Sequence, residues 1–188
     1  MFWKVFGLLL VGLATQAATL TATSGQNSYS VGDRVSVDFT VSNVTDLYAF
    51  QFDVSFDPGV LSAQTVAEAG YFLSNGVSFS PGSIDNTAGR IRFLADALSG
   101  SSPTVNGSTT LVSVTLAAIG SGTTNVAPTN LILLNSQLSD ISANAVGASL
   151  QVSEVTAVPE ANSYEFIGIG LLVLAAARRV ASFGQKRS

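Results

Sequence analysis

Over positions 48–56 the chain alternates without a break: Tyr48, Phe50, Phe52, Val54 and Phe56 are large and apolar, and Ala49, Gln51, Asp53 and Ser55 lie between them. A two-residue period belongs to a strand with one buried face, so this stretch predicts a central strand. Asp57-Pro58-Gly59 ends it, because Pro lacks an amide donor and Gly takes turn geometry. The same period recurs at Val35, Val37, Phe39 and Val41, and at Val112, Val114 and Leu116. Between the first two runs, residues 43–46 read as a turn. Shorter extended pieces are expected at 19–23, 60–66, 77–80, 90–95, 123–127, 131–134 and 148–155. Pro81-Gly82 closes the 77–80 piece, and Ile91 and Phe93 point inward from the 90–95 piece. Residues 26–33, 83–89 and 96–107 are polar, turn-rich connections, while 67–75 fit either one helical turn or a covering loop.

Seven to nine short strands, regular turn signals and no long amphipathic helix define an all-β chain folded as an antiparallel β-sandwich. Spacing alone accommodates a jelly-roll or an immunoglobulin-like strand order. The strands are not copies of one another, which argues against a repeat array.

Charge and composition narrow the chemistry. Between residues 19 and 157 eight Asp and two Glu face three Arg, a net charge of −7, with no basic stripe to bind nucleic acid. The chain has no Cys and no His, which removes disulfides, zinc sites, thiol nucleophiles and imidazole bases. Carboxylate chemistry is what remains for an enzyme. Asp53, Asp57, Asp85 and Asp96 are available, but nothing in the sequence pairs them as a glycosidase requires, and Asp57 and Asp85 are explained as turn residues. The domain is therefore expected to be non-catalytic. Calcium would need more ligands than Asp85 and Asn86 supply, so no cofactor is assigned.

The two ends differ from the middle. Residues 1–17 combine Lys4, an apolar run over 5–13 and small residues before the expected cleavage, the make-up of a signal peptide. Nine apolar residues of helix, at about 1.5 Å each, fall far short of a bilayer core of about 30 Å. The domain proper is 18–157. Residues 158–188 form a separate tail with a short uncharged hydrophobic helix at 166–177 and a basic end at 178–188. Twelve helical residues span only about 18 Å, which suits a transient membrane stop, and the basic end would hold the domain on the outer side.

Val158-Pro159-Glu160, the apolar segment and Arg178-Arg179 resemble the PEP-CTERM sorting signal of exopolysaccharide-producing Gram-negative bacteria, although Ala161 stands where a second Pro is usual. That resemblance implies processing by an exosortase and delivery, through a transient inner-membrane anchor, to the cell envelope, outer surface or extracellular matrix. The run Phe50-Gln51-Phe52-Asp53-Val54-Ser55-Phe56-Asp57-Pro58-Gly59-Val60-Leu61 resembles the third strand of cohesin domains. Cohesin order continues in Val31-Gly32-Asp33, Gly89-Arg90-Ile91-Arg92-Phe93, Leu111-Val112-Ser113-Val114-Thr115-Leu116 and Gly147-Ala148-Ser149-Leu150-Gln151-Val152. The resemblance implies a jelly-roll of about nine strands, in the superfamily shared with carbohydrate-binding modules.

Cohesins grip calcium-loaded dockerins with the exposed face of that third strand. The matching positions are Ala49, Gln51, Asp53 and Ser55; Gln51 and Asp53 can hydrogen-bond a protein partner, and Ala49 offers nothing polar where the family often does. The second expectation is an exopolysaccharide or other carbohydrate ligand. Sugar platforms need exposed aromatic rings. The sole Trp, Trp3, falls in the leader, which leaves Tyr29 and Tyr71.

Overall fold

The structure is a computed structural model and describes residues 17–100 and 103–155. The segment expected to be a signal peptide, apart from Ala17, and the 158–188 segment expected to be a sorting tail therefore lie outside the described residues. In chain order the elements are β1 (Ala18–Ser24), β2 (Ser28–Ser30), β3 (Arg34–Ser55), β4 (Leu61–Glu68), α1 (Phe72–Asn75), β5 (Ser80–Asp85), β6 (Arg90–Ala97), β7 (Val105–Ala118), β8 (Gly122–Asn135), β9 (Ala143–Val146) and β10 (Ala148–Ser153).

The first departure from expectation is that the two leading strands are one. β3 runs unbroken for 22 residues. Asn43 and Asp46, the residues read as a turn, instead take left-handed φ values of 55° and 60° inside the strand. The β3/β7 ladder slips at both places. Asn and Asp tolerate that backbone region, so the chain bulges and bends without reversing. The bend is pinned from outside: Asp46 N–H donates to Asn106 Oδ1 at 3.0 Å, and Ser136 Oγ–H donates to Asp46 Oδ2 at 2.8 Å.

Bending lets β3 serve two layers. Its first half pairs with β1 and β7, and its second half with β6 and β8. β8 divides its pairing likewise, 122–126 with β10 and 127–135 with β3. The layers thus read β9-β1-β3-β7-β4 and β2-β10-β8-β3-β6-β5. Pairing is antiparallel except for β1/β9 and β2/β10, which are parallel. The strand count is ten among the described residues because 26–33 contains β2 and 135–147 contains β9.

The predicted alternation fills the space between layers. Val35, Val37, Phe39, Val41, Phe50, Phe52, Val54, Phe56, Val112, Val114 and Leu116 are buried, and Tyr48 is half-buried. Phe39 and Phe52 meet at 5.3 Å between ring centres. The 67–75 ambiguity resolves as β4 extended to Glu68, a short loop and α1, whose Phe72 enters the core and meets Phe50 edge-on at 5.0 Å. α1 is therefore a plug: it has too few residues to stand as a helix alone and is held by the ring it buries.

Strand boundaries in the middle also shift. No strand occupies 77–79; β5 begins at Ser80 and runs through Pro81-Gly82 to Asp85. β5 pairs only with β6, and an edge strand tolerates a residue with no amide proton. β6 extends past the expected 95 to Ala97. Phe93, expected inward, is 55% exposed. Arg92 and Phe93 together oppose Asp53, and this one-residue bulge turns Phe93 to the outer face.

Candidate functional site

The outward positions of the second half of β3 carry Ala49, Gln51, Asp53 and Ser55, all half-buried between neighbouring strands. The register builds the face around them. Leu134 and Ala97 flank Ala49, Ile132 and Ala95 flank Gln51, and Ala127 and Arg90 flank Ser55. The face is apolar towards Leu134 and Ala97 and polar towards Arg90, with Ile132, 43% exposed, and Phe93 projecting from it. Among the described residues Gln51, Arg90 and Arg92 spend no side-chain hydrogen bond or ion pair, which leaves their polar ends to a partner.

Asp53 has a different role from the one its position suggests. Phe93 N–H donates to Asp53 Oδ1 at 2.8 Å, and Asn130 Nδ2 donates to Asp53 Oδ2 at 2.7 Å. Both donors sit in left-handed backbone, Phe93 at φ 62° and Asn130 at φ 51°. Asn130 belongs to a second slip, in the β3/β8 ladder between Gln51 and Asp53. One carboxylate therefore clamps a bulge on either side of the central strand. On the far side Gly82, at φ +75°, lets β5 pass the bulge; a Cβ there would lie 2.5 Å from the Arg92 carbonyl oxygen. Asp53 holds the face in shape, and Gln51, Phe93, Ile132, Arg90 and Arg92 are its free groups. Strand periodicity had no means of finding Phe93 or Ile132 as surface residues, though a turn-prone Asn inside a strand, Asn130, is the kind of residue that marks a bulge.

The tyrosines occupy other places. Tyr29 lies in β2, half-buried against the core, with its hydroxyl 2.5 Å from Ser24 Oγ. Tyr71 precedes α1, is also half-buried against the core, and its hydroxyl donates to the Pro103 carbonyl at 3.0 Å. The structure does not bring them onto the β3 face.

The acidic residues separate as turn chemistry predicts, with one exception. Asp57 Oδ1 accepts from Gly59 N–H, and Asp85 Oδ1 accepts from Thr87 and Ala88 N–H. Asn86 is taken up by Ala63, accepting from its N–H and donating to its carbonyl. No group of three or more acidic side chains gathers to hold a metal among the described residues. The exception is Asp96, 97% buried, whose carboxyl lies in hydrogen-bond contact with that of Glu68. Burial first, and then the Asp96 carboxyl beside it, push the Glu68 carboxyl up to about 7. Two carboxyls in direct contact differ from the 5–10 Å separation, with a sugar between, of a glycosidase. A shallow groove of about 330 Å³ lies elsewhere, on the first layer, at Arg34, Gln64 and Thr115.

A two-layer sandwich that shares a bent central strand is an all-β sandwich domain, and comparison with known proteins makes the family specific. A family model described as the cohesin domain matches residues 20–157, and the chain belongs to that family. Cellulose-binding protein A of Clostridium cellulovorans is 26% identical over 151 residues, 79% of this chain and 8% of that protein's length. The fold is similar to that of a type II cohesin from the cellulosome of Acetivibrio cellulolyticus, with a TM-score of 0.60 at 18% identity over 72% of this chain and 95% of the other. It is also similar to a non-cellulosomal cohesin of the archaeon Archaeoglobus fulgidus, with a TM-score of 0.58 at 11% identity over 79% of this chain and 98% of that one. A type II cohesin in complex with an X-dockerin, also from Acetivibrio cellulolyticus, gives a TM-score of 0.57 at 17% identity over 72% and 99%.

Proposed function

We propose that the chain is an exported, non-catalytic cohesin-type module that grips a protein partner with the outer face formed by β8, β3, β6 and β5. One observation carries this reading: Phe93 stands exposed on the β6 bulge that Asp53 clamps, and Ile132 stands exposed beside Gln51, next to the β8 bulge held by the same carboxylate. Aromatic and aliphatic anchors on a rigid sheet, with an unpaired amide and two arginines around them, are what a protein interface concentrates its binding energy on. Membership of the cohesin family supports a dockerin-like partner, and the neighbouring complex pairs a cohesin with an X-dockerin. The arginines favour a partner that presents carboxylates at the Arg90 end and apolar side chains at the Leu134 end.

Export rests on residues 1–17, and the route on residues 158–188, read as an exosortase-processed signal with transient anchoring in the inner membrane. No helix among the described residues is long and apolar enough to cross a membrane. Polysaccharide association is the competing reading, and the half-buried positions of Tyr29 and Tyr71 give it less support than the β3 face gives a protein partner. The test is affinity capture from the extracellular matrix of the producing organism with the full chain, compared with the double variant F93A/I132A. Capture of a protein that the double variant loses supports the reading; retention of glycan alone, unaffected by the variant, refutes it.

A further inference from the structure

We propose that Glu68 and Asp96 share a single proton and thereby fasten residues 69–78 over the flank of the sandwich, so that this cover loosens when the pair ionises. Glu68 Oε1 and Asp96 Oδ2 are both buried and neither receives an N–H or O–H from any other group. They face the same point: a Cβ built on Gly76 would lie 1.8 Å from Asp96 Oδ2 and 2.6 Å from Glu68 Oε1. Only a residue without a side chain closes over them. Two carboxylates cannot occupy such a contact together, whereas one carboxylic acid donating to one carboxylate satisfies both orphaned oxygens.

The proton belongs on Glu68. Asp96 Oδ1 already accepts from Ala97 N–H at 2.7 Å and Ser78 N–H at 3.0 Å, which leaves Glu68 as the carboxyl that donates. The bond from Ser78 also ties the pair to the cover. Val77 N–H donates to the Ala97 carbonyl, while Ala69 N–H reaches the Leu111 carbonyl and Tyr71 N–H reaches Thr109 Oγ1. Among the described residues no cation competes for the role. β4 carries no Lys or Arg, β7 carries no charged residue and sets Val112 opposite Glu68, and the cover's one ionisable group, Tyr71, points its hydroxyl to Pro103. On β6 the charges besides Asp96 are Arg90 and Arg92, both exposed.

The direction follows from linkage. With the cover open, Glu68 returns to its ordinary value of 4.5, whereas closed it sits at about 7. The closed form therefore holds a proton that the open form has released throughout that interval, so closure is complete in strength below the lower value and weakens as pH rises to the upper one. One proton gives at most a tenfold change per pH unit. Glu68 keeps part of its side chain in water, so the opening equilibrium should rise about ten- to a hundredfold in all, and level off beyond about pH 7.5.

Hydrogen–deuterium exchange of the full chain across this range, corrected for intrinsic exchange, tests the device. Peptides from 69–78 should lose protection by that factor, while peptides from β3 should not, and E68Q should stay protected at every pH because its amide N–H can donate to Asp96 Oδ2. Infrared spectra of the wild type supply a measurement that needs no variant: a carboxylic-acid carbonyl band should vanish as pH passes about 7. PH-independent protection, or a slope that persists in E68Q, overturns the proposal. So does a gain of protection on adding calcium chloride with no carboxylic-acid band at low pH, which would give the two oxygens to a cation.

Discussion

Replacing Asp53 by Ala removes a clamp whose parts can be counted. Two hydrogen bonds are lost, from Phe93 N–H at 2.8 Å and from Asn130 Nδ2 at 2.7 Å. Both are accepted by a charged carboxylate on a partly solvated face, so each is worth about 1–1.5 kcal/mol. Phe93 is held at φ 62°, a left-handed conformation that costs a bulky residue about 1–2 kcal/mol. Without the carboxylate that strain can relax, returning about 1 kcal/mol as the β6 bulge slips. The net loss is about 1–2 kcal/mol, or a melting point lower by about 3–8 °C for a domain of this size. D53N should behave otherwise. Its carbonyl can still accept from Phe93 N–H, and Asn130 can turn its amide to accept from the new NH₂, so both contacts survive without charge and the loss should stay under about 1 kcal/mol. Calorimetry of the full-length variants measures the stability, and the NMR shifts of Phe93 and Asn130 report the bulges. If D53A melts within about 1 °C of the wild type with those shifts unmoved, or if D53N falls as far as D53A, the clamp does not exist.

Other consequences can be checked separately. Phe72→Ala empties the socket where the plug meets Phe50, a site of 0% exposure, and should lower unfolding stability by about 3–5 kcal/mol in urea titrations. Gly76→Ala forces a methyl group against Asp96 Oδ2, and should raise exchange in peptides 69–78 while leaving β3 protected. Deleting residues 158–188 should change where the protein accumulates in fractionated cells of its host; an unchanged distribution removes the sorting role given to Val158-Pro159-Glu160 and Arg178-Arg179.

What could be read from the sequence was the part governed by short-range period. Val35 to Val41 and Phe50 to Phe56 each have their alternate residues buried as expected, because burial selects one face of an extended chain. Reading failed where a single residue breaks that period. Asn43 and Asp46 look alike in a turn and in a bulge, since both need residues that accept left-handed backbone; Asn106 and Ser136, far along the chain, decide between them. Phe93 fits an inward position by counting, and its reversal depends on the carboxylate of Asp53 on the next strand. Gln51, Asp53 and Ser55 were legible as an outward stripe, but the division of labour between Gln51, unengaged, and Asp53, fully engaged, needed the neighbouring strands. Glu68 and Asp96 are joined by no pattern at all, because β4 and β6 bring them together only through the cover between them.

Photo-crosslinking tests the central claim most directly. The full-length chain is expressed in its host with p-benzoylphenylalanine in place of Phe93, and in parallel in place of Thr21 on the outer side of β1 in the other layer. The account predicts a discrete covalent adduct with another protein from position 93 and none from position 21. Adducts from position 21 alone, or equal labelling at both, would contradict the assignment of the β8-β3-β6-β5 face as the binding surface.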